Sequence, residues 1–172
     1  MQIFMNHKSG YVSIIGKPNV GKSTLMNALV GEKISIISPK VQTTRHRIMG
    51  ILSKPEYQLV FSDTPGIIEP KYKLHGSMMD FVNQSLQDAD VVLFITDNSD
   101  DTPEDEAIYE RLKLIKLPLI VLVNKIDLIG DNQKVEEKIT YIKSKVSNAN
   151  AVIPVSALNK FGLDSAMTAI ME

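Results

Sequence analysis

The chain has 172 residues, 44% of them apolar and 23% charged, which suits one ordinary folded domain and is too little for two substantial ones. Its 19 basic and 20 acidic side chains leave a net charge of −1, so it lacks the positive excess that draws proteins to nucleic acid or to membrane surfaces. It has no cysteine, which excludes disulfides, thiolate catalysis and cysteine-bound metal; it also lacks a signal-like start and any apolar run near the ~20 residues of a membrane span, so a cytoplasmic location is expected.

Along the chain, short apolar runs alternate with helical patterns. Tyr11-Val-Ser-Ile-Ile15 predicts a strand, followed by a glycine-rich turn and a helix from Ser23 to Val30 that Gly31 stops. Ile48–Leu52 and Gln58–Ser62 are two strands close enough in sequence to form an antiparallel pair. Met78, Val82 and Leu86 stand four apart, as on one face of a helix. Val91–Thr96 is apolar almost throughout, as in a strand covered on both faces. Thr102-Pro-Glu-Asp105 reads as a helix start, with a capping hydroxyl, proline in the first turn and acids at the positive dipole end. Leu119–Val123 is the next buried strand. Val135, Ile139, Ile142 and Val146 mark an amphipathic helix, Ala151–Val155 a sixth strand, and Leu163, Ala166, Met167 and Ile170 a last helix. The alternation predicts an α/β fold: six strands, mostly parallel with one antiparallel, and helices on both faces. Glu32–Arg47 and Gly66–Ser77 have weak periodicity, and loops of that length are commonly functional.

Gly16-Lys-Pro-Asn-Val-Gly21-Lys22-Ser23 has two glycines five apart and then Lys-Ser, the phosphate-loop pattern. By average residue frequencies the pattern arises by chance in roughly one such chain in a hundred. Such a loop turns its backbone N–H groups onto a phosphate, and side chains at the glycines would block the approach. The following helix aims its positive end at the anion. Gly16, Lys17, Pro18, Asn19, Val20, Gly21, Lys22, Ser23 and Thr24 are the candidate phosphate contacts, with Lys22 on the β- and γ-phosphates and Ser23 on Mg²⁺.

Asp63-Thr64-Pro65-Gly66 follows a strand directly. Asp63 at the strand end can hold Mg²⁺ through a water, and the Gly66 N–H can bond the γ-phosphate; taken alone, Asp-x-x-Gly is a common turn. Thr43 or Thr44 can complete the Mg²⁺ shell, or serve only as a turn hydroxyl.

Asn124-Lys125-Ile126-Asp127 comes straight after the fifth strand. A carboxylate at Asp127 accepts from both N1–H and the exocyclic amine of guanine, and adenine offers no such donor pair. The Lys125 stem can lie along the purine, and Asn124 can tie this loop to the phosphate loop. In Ser156-Ala157-Leu158, after the sixth strand, the Ala157 N–H can bond guanine O6. Three strand ends then converge on one edge of a parallel sheet, where such sheets bind ligands. The expected ligand is GTP or GDP with Mg²⁺.

The wording of these segments is similar to one family. Gly16 to Gly31, Lys33-Ile-Ser-Ile, Gln42-Thr-Thr-Arg-His-Arg-Ile48 and Asp63-Thr-Pro-Gly-Ile67 resemble the Era GTPases, whose fold is that of P-loop NTPases. In that family the threonine beside the arginine is the metal-sensing one, which favours Thr44. The resemblance implies a GTP-hydrolysing factor of small ribosomal subunit assembly that contacts its rRNA. It also implies peripheral association of the full-length proteins with the inner face of the cell membrane, and a monomer is expected. Era proteins carry a C-terminal KH domain. No Gly-x-x-Gly occurs between residues 1 and 172, so the chain is expected to be a single GTPase domain with the KH domain absent.

Ile67 follows Gly66 where Ras-like enzymes have a water-orienting Gln. The resemblance to related GTPases implies a K⁺ held by Asn19 in place of an arginine finger; as a residue type Asn19 is equally a turn former. Lys22, Thr44, Gly66 and Asn19 are therefore the candidate catalytic residues, and Asp63, Thr64, Pro65, Gly66 and Ile67 join the nucleotide contacts. Turnover without a partner should be slow, toward the ~10⁻⁴–10⁻³ s⁻¹ of unassisted Ras. The alternatives are a GTP-dependent binding switch with negligible hydrolysis and an ATP-using P-loop kinase or ATPase.

Overall fold

The computed structural model describes residues 7–31, 47–63, 86–99 and 101–172. The chain runs β1 (Lys8–Gly16), α1 (Lys22–Val30), β2 (Arg47–Ser53), β3 (Tyr57–Asp63), β4 (Val91–Asp97), α2 (Pro103–Leu112) and β5 (Leu119–Asn124). It continues through a 3₁₀ turn (Ile126–Leu128) to α3 (Asn132–Lys145), β6 (Ala151–Pro154) and α4 (Leu163–Met171). The strands form one sheet in the order β2-β3-β1-β4-β5-β6. Among the described strands only β2 runs antiparallel to its neighbour, β3; the other pairs are parallel.

Side chains alternate across a strand, so a parallel sheet with apolar residues at every position must be covered twice. Leu93 and Ile95 of β4, Ile120 and Leu122 of β5, and Val12 and Ile14 of β1 pack with Leu25, Met26 and Val30 of α1 and Ala166 and Ile170 of α4. Their alternates Val92, Phe94, Val121, Val123 and Ile15 pack with Ile108, Tyr109 and Leu112 of α2 and Ile142 of α3. The rings of Phe94 and Tyr109 meet edge to face, 6.3 Å apart. The six strands, the antiparallel β2 and the helices on both faces are those expected from the sequence.

Some boundaries differ. β1 takes in Gly16, which pairs in register with Ile95, and the 3₁₀ turn has no counterpart in the periodicity. Only Leu86 of the helix expected over Met78, Val82 and Leu86 is described, and it is buried in a turn; Met78 and Val82 lie outside the described residues. At Thr102 the hydroxyl accepts from the Asp105 N–H while the Asp105 carboxylate accepts from the Thr102 N–H, a full capping box with Pro103 in the first turn. No helix among the described residues is long and apolar enough to cross a membrane.

From β1 the chain passes through α1 to β2 and β3 on one side of it, and the next strand, β4, lies on its other side. The carboxyl end of β1 is therefore the topological switch point, where connections diverge and leave a crevice. Gly16, Asp63, Asp97 and Asn124 end β1, β3, β4 and β5 at that same edge.

Candidate functional site

The segment that leaves β1 is held by its glycines. A side chain on Gly16 would place its Cβ 2.6 Å from the Ile95 carbonyl oxygen. At Gly21 the backbone is left-handed, with φ 98°, and a Cβ would stand 2.3 Å from Asn124 Nδ2. The sequence assigned these glycines to close approach of a phosphate; in the folded protein they also admit the protein's own backbone and amide. Gly21 is the N-cap of α1 and offers no side chain to the helix's first N–H groups. These donors, with the positive end of the helix dipole, are chemically suited to an anion. The Lys22 ammonium rests on the Gly16 carbonyl oxygen at 2.6 Å, inside the curl of the loop. Ser23 and Thr24 are exposed on the first turn of α1. Asn19, also exposed, takes a left-handed φ of 65°.

Asn124 joins three loops. Its Nδ2 donates to the Val20 carbonyl oxygen at 2.9 Å, and its Oδ1 accepts from the Ala157 N–H at 3.0 Å. The side chain is 2% exposed, and a buried amide must find such partners. Lys125, left-handed at φ 62°, donates to the Asn19 carbonyl oxygen at 2.6 Å and to Asp97 at 2.9 Å. Asp127 is exposed, and one of its oxygens accepts from the buried Ser156 hydroxyl at 2.6 Å. Ser156 Oγ in turn accepts from the Asn159 N–H at 3.2 Å. The second Asp127 oxygen is left to face outward. Leu158 is 74% exposed beside this loop. The Ala157 N–H, assigned from the sequence to guanine O6, is given to Asn124 here.

Two carboxylates outside the sequence-derived set brace the phosphate loop. Asp97 Oδ2 accepts from Lys125, and its Oδ1 accepts from Ser99. Asp105 Oδ1 accepts from Lys17 Nζ at 2.7 Å, and its Oδ2 accepts from the Thr102 N–H and hydroxyl. Burial pushes both carboxyls up, but these hydrogen bonds outweigh it and hold both below the ordinary carboxylate value. The signal for Asp105 was present in the sequence. A Thr-x-x-Asp capping box turns the carboxylate back toward the strand ends and leaves it one oxygen to give. Nothing in the spacing of Asp97 marks it.

Lys17, Asn19, Lys22, Asn124, Lys125, Asp127, Ser156 and Ala157 are therefore placed on the loops that leave β1, β5 and β6, in several separate hydrogen-bonded groups. Asp63 ends β3, half-buried. Thr43, Thr44, Thr64, Pro65, Gly66 and Ile67 lie outside the described residues. Among the described residues no group of three or more His, Asp or Glu side chains is gathered as a metal site.

Comparison with known proteins gives a consistent result. A family model described as a 50S ribosome-binding GTPase matches residues 11–125. GTPase Era of Aquifex aeolicus (strain VF5) is 47% identical over 170 residues, covering 96% of this chain and 56% of that protein. Two solved structures superpose with TM-score 0.73 at 47% identity, over 95% of this chain and 56% of theirs. One is an Era variant of Aquifex aeolicus bound to GDP.AlF4-; the other is Era in complex with MgGDPNP and nucleotides 1506–1542 of 16S ribosomal RNA. The chain thus spans little more than half the length of these relatives.

Proposed function

Because the chain belongs to the family of 50S ribosome-binding GTPases, we propose that it binds GTP and GDP with Mg²⁺ and hydrolyses GTP as a slow molecular switch. The observation that carries this reading is the pair of hydrogen bonds made by the Asn124 amide, which joins the loop after β1 to the loops after β5 and β6. It supports a reading in which the first loop takes the phosphates and Asp127, beside Asn124 in sequence, selects the base.

The residues present suit these ligands. The uncapped start of α1 and the Lys22 ammonium fit a polyphosphate. Ser23 at the start of α1 and Asp63 at the end of β3 are hard oxygen donors, as Mg²⁺ requires, and a Mg²⁺ site of one or two protein ligands keeps several waters. When bound, Mg²⁺ would offset charge on the β- and γ-phosphates. The chain's own part is to hold the phosphates with the loop amides and Lys22 while Asp127 selects the base. Thr44 and Gly66 are proposed to sense the γ-phosphate. Binding of small-subunit rRNA is proposed for the whole protein of which this domain is part, since an Era relative was solved with 16S rRNA.

Titration with GTP, GDP and ATP tests the reading. GTP and GDP are expected to bind, with ATP weaker by roughly 10⁴-fold, because Asp127 faces a donor pair that adenine lacks. Equal binding of ATP would favour the kinase or ATPase reading.

The catalytic part has its own test. If Asn19 holds K⁺ against the phosphates, single-turnover hydrolysis is faster in K⁺ than in Na⁺ at equal ionic strength. Asn19→Gly should remove that difference with GTP binding largely kept, because glycine accepts the left-handed backbone at this position without strain. Identical rates in both salts would leave Asn19 a turn residue.

A further inference from the structure

Lys17 follows Gly16 inside the phosphate loop, yet its ammonium reaches away to helix α2. Asp105, its partner, sits in the first turn of that helix and is only 6% exposed. A buried carboxylate is unfavourable unless it is paired and hydrogen-bonded, and Asp105 meets that need by dividing its oxygens. Oδ2 closes the capping box with Thr102 and is sufficient for the helix; Oδ1 is given wholly to Lys17. The pair therefore adds nothing that α2 needs in order to start. It fixes the entrance of the phosphate loop instead, at the residue next to the carbonyl on which Lys22 rests. Two positions further on, Asn19 is tied by Lys125 to Asp97 of β4. The loop is thus pinned at residues 17 and 19 to the two ends of one connection, between β4 and α2.

We propose that Asp105 is a positioning residue of the nucleotide site, holding the phosphate loop through Lys17 in the shape that receives the β-phosphate. The inference rests on the GTPase reading above. A loop fixed before the ligand arrives does not have to be ordered on binding, and that saving appears as affinity for the phosphates. Neither Lys17 nor Asp105 touches Asn124, Lys125 or Ser156, which hold the base loop, so what this pair contributes falls on the phosphates and not on guanine.

Asp105→Asn separates the two duties. The amide keeps an oxygen for the Thr102 N–H but loses the anion that Lys17 needs. In the whole chain, GDP affinity measured by displacement of a fluorescent guanine nucleotide is expected to fall about tenfold, and GMP affinity by less than about twofold. Lys17→Met should give the same split, and the double variant should be no worse than either single one. Asp105→Glu, which keeps both a capping acceptor and a charge, should restore GDP affinity. Unchanged GDP affinity in Asp105→Asn and Lys17→Met, or equal losses for GDP and GMP, would overturn the proposal. If either single variant fails to fold, the double variant decides, because it leaves no unpaired charge in the buried site: GDP affinity about tenfold below that of the native chain with GMP affinity kept supports the proposal, and native GDP affinity overturns it. A native chain that binds no GDP would instead remove the function proposed above.

Discussion

Asp127→Asn should turn a guanine site into a xanthine site. In the native chain one Asp127 oxygen accepts from Ser156 and the other faces outward. An asparagine can keep its carbonyl oxygen on Ser156, which leaves its NH₂ as the outward group. Guanine would then oppose its own amine to a donor, whereas xanthine presents a carbonyl at that place. The loss for GDP is expected to be roughly 10⁴-fold, because a site built to bond a particular group rejects the ligand that mismatches it. XDP should gain in proportion, and the thermal midpoint of the nucleotide-free protein should move little, since Asp127 is exposed. Titration calorimetry with GDP and XDP measures both; unchanged GDP affinity would remove Asp127 from the base site.

Gly21→Ala should abolish nucleotide binding by a different route. The new methyl would stand 2.3 Å from Asn124 Nδ2, so the amide must leave the Val20 carbonyl or the loop must open. Either change breaks the joint between the phosphate and base loops, and an expected loss of at least about 100-fold in GDP affinity follows from misplaced contacts. Gly31→Ala is the control. It too has positive φ, 69°, but no atom of the described residues lies within 4 Å of its Cβ. It should reduce stability by about 1–3 kcal/mol through backbone strain alone and leave GDP affinity unchanged. Comparable affinity losses in the two variants would mean that strain, and not the collision with Asn124, governs the loop.

How much of this was legible in the sequence depends on which residues carry local information. The strands were readable because a parallel sheet covered twice must be apolar at consecutive positions, as Val91–Thr96 and Leu119–Val123 are. The helix at Thr102 was readable because capping chemistry is short-range. The loops after β1 and β5 stood out because the proposed ligand calls for particular residue types at fixed spacing. Contacts made at long range left no periodic trace. That Lys17 pairs with Asp105 across 88 positions, or Lys125 with Asp97 across 28, follows from strand order alone. The glycines illustrate the same limit. Their positions are plain in the sequence, but the collision of a Gly21 methyl with Asn124 appears only once β1 and β5 lie on either side of β4.

The Asn124 joint also has a consequence for synthesis. Its two partners lie 104 residues before it and 33 residues after it. While the chain is still being made, β1, β3, β4 and β5 can be present and the phosphate loop complete, yet Oδ1 of Asn124 has no Ala157 N–H to accept. Ser156 is likewise missing from Asp127. On the proposed function the nascent protein therefore has a half-built receptor until β6 and Ala157 have emerged, and guanine nucleotide is expected to act as a folding ligand only from that moment. After it, every bound nucleotide stabilises the finished domain by mass action. The interval of synthesis between Asn124 and Ala157 thus sets when the proposed nucleotide site can first be complete.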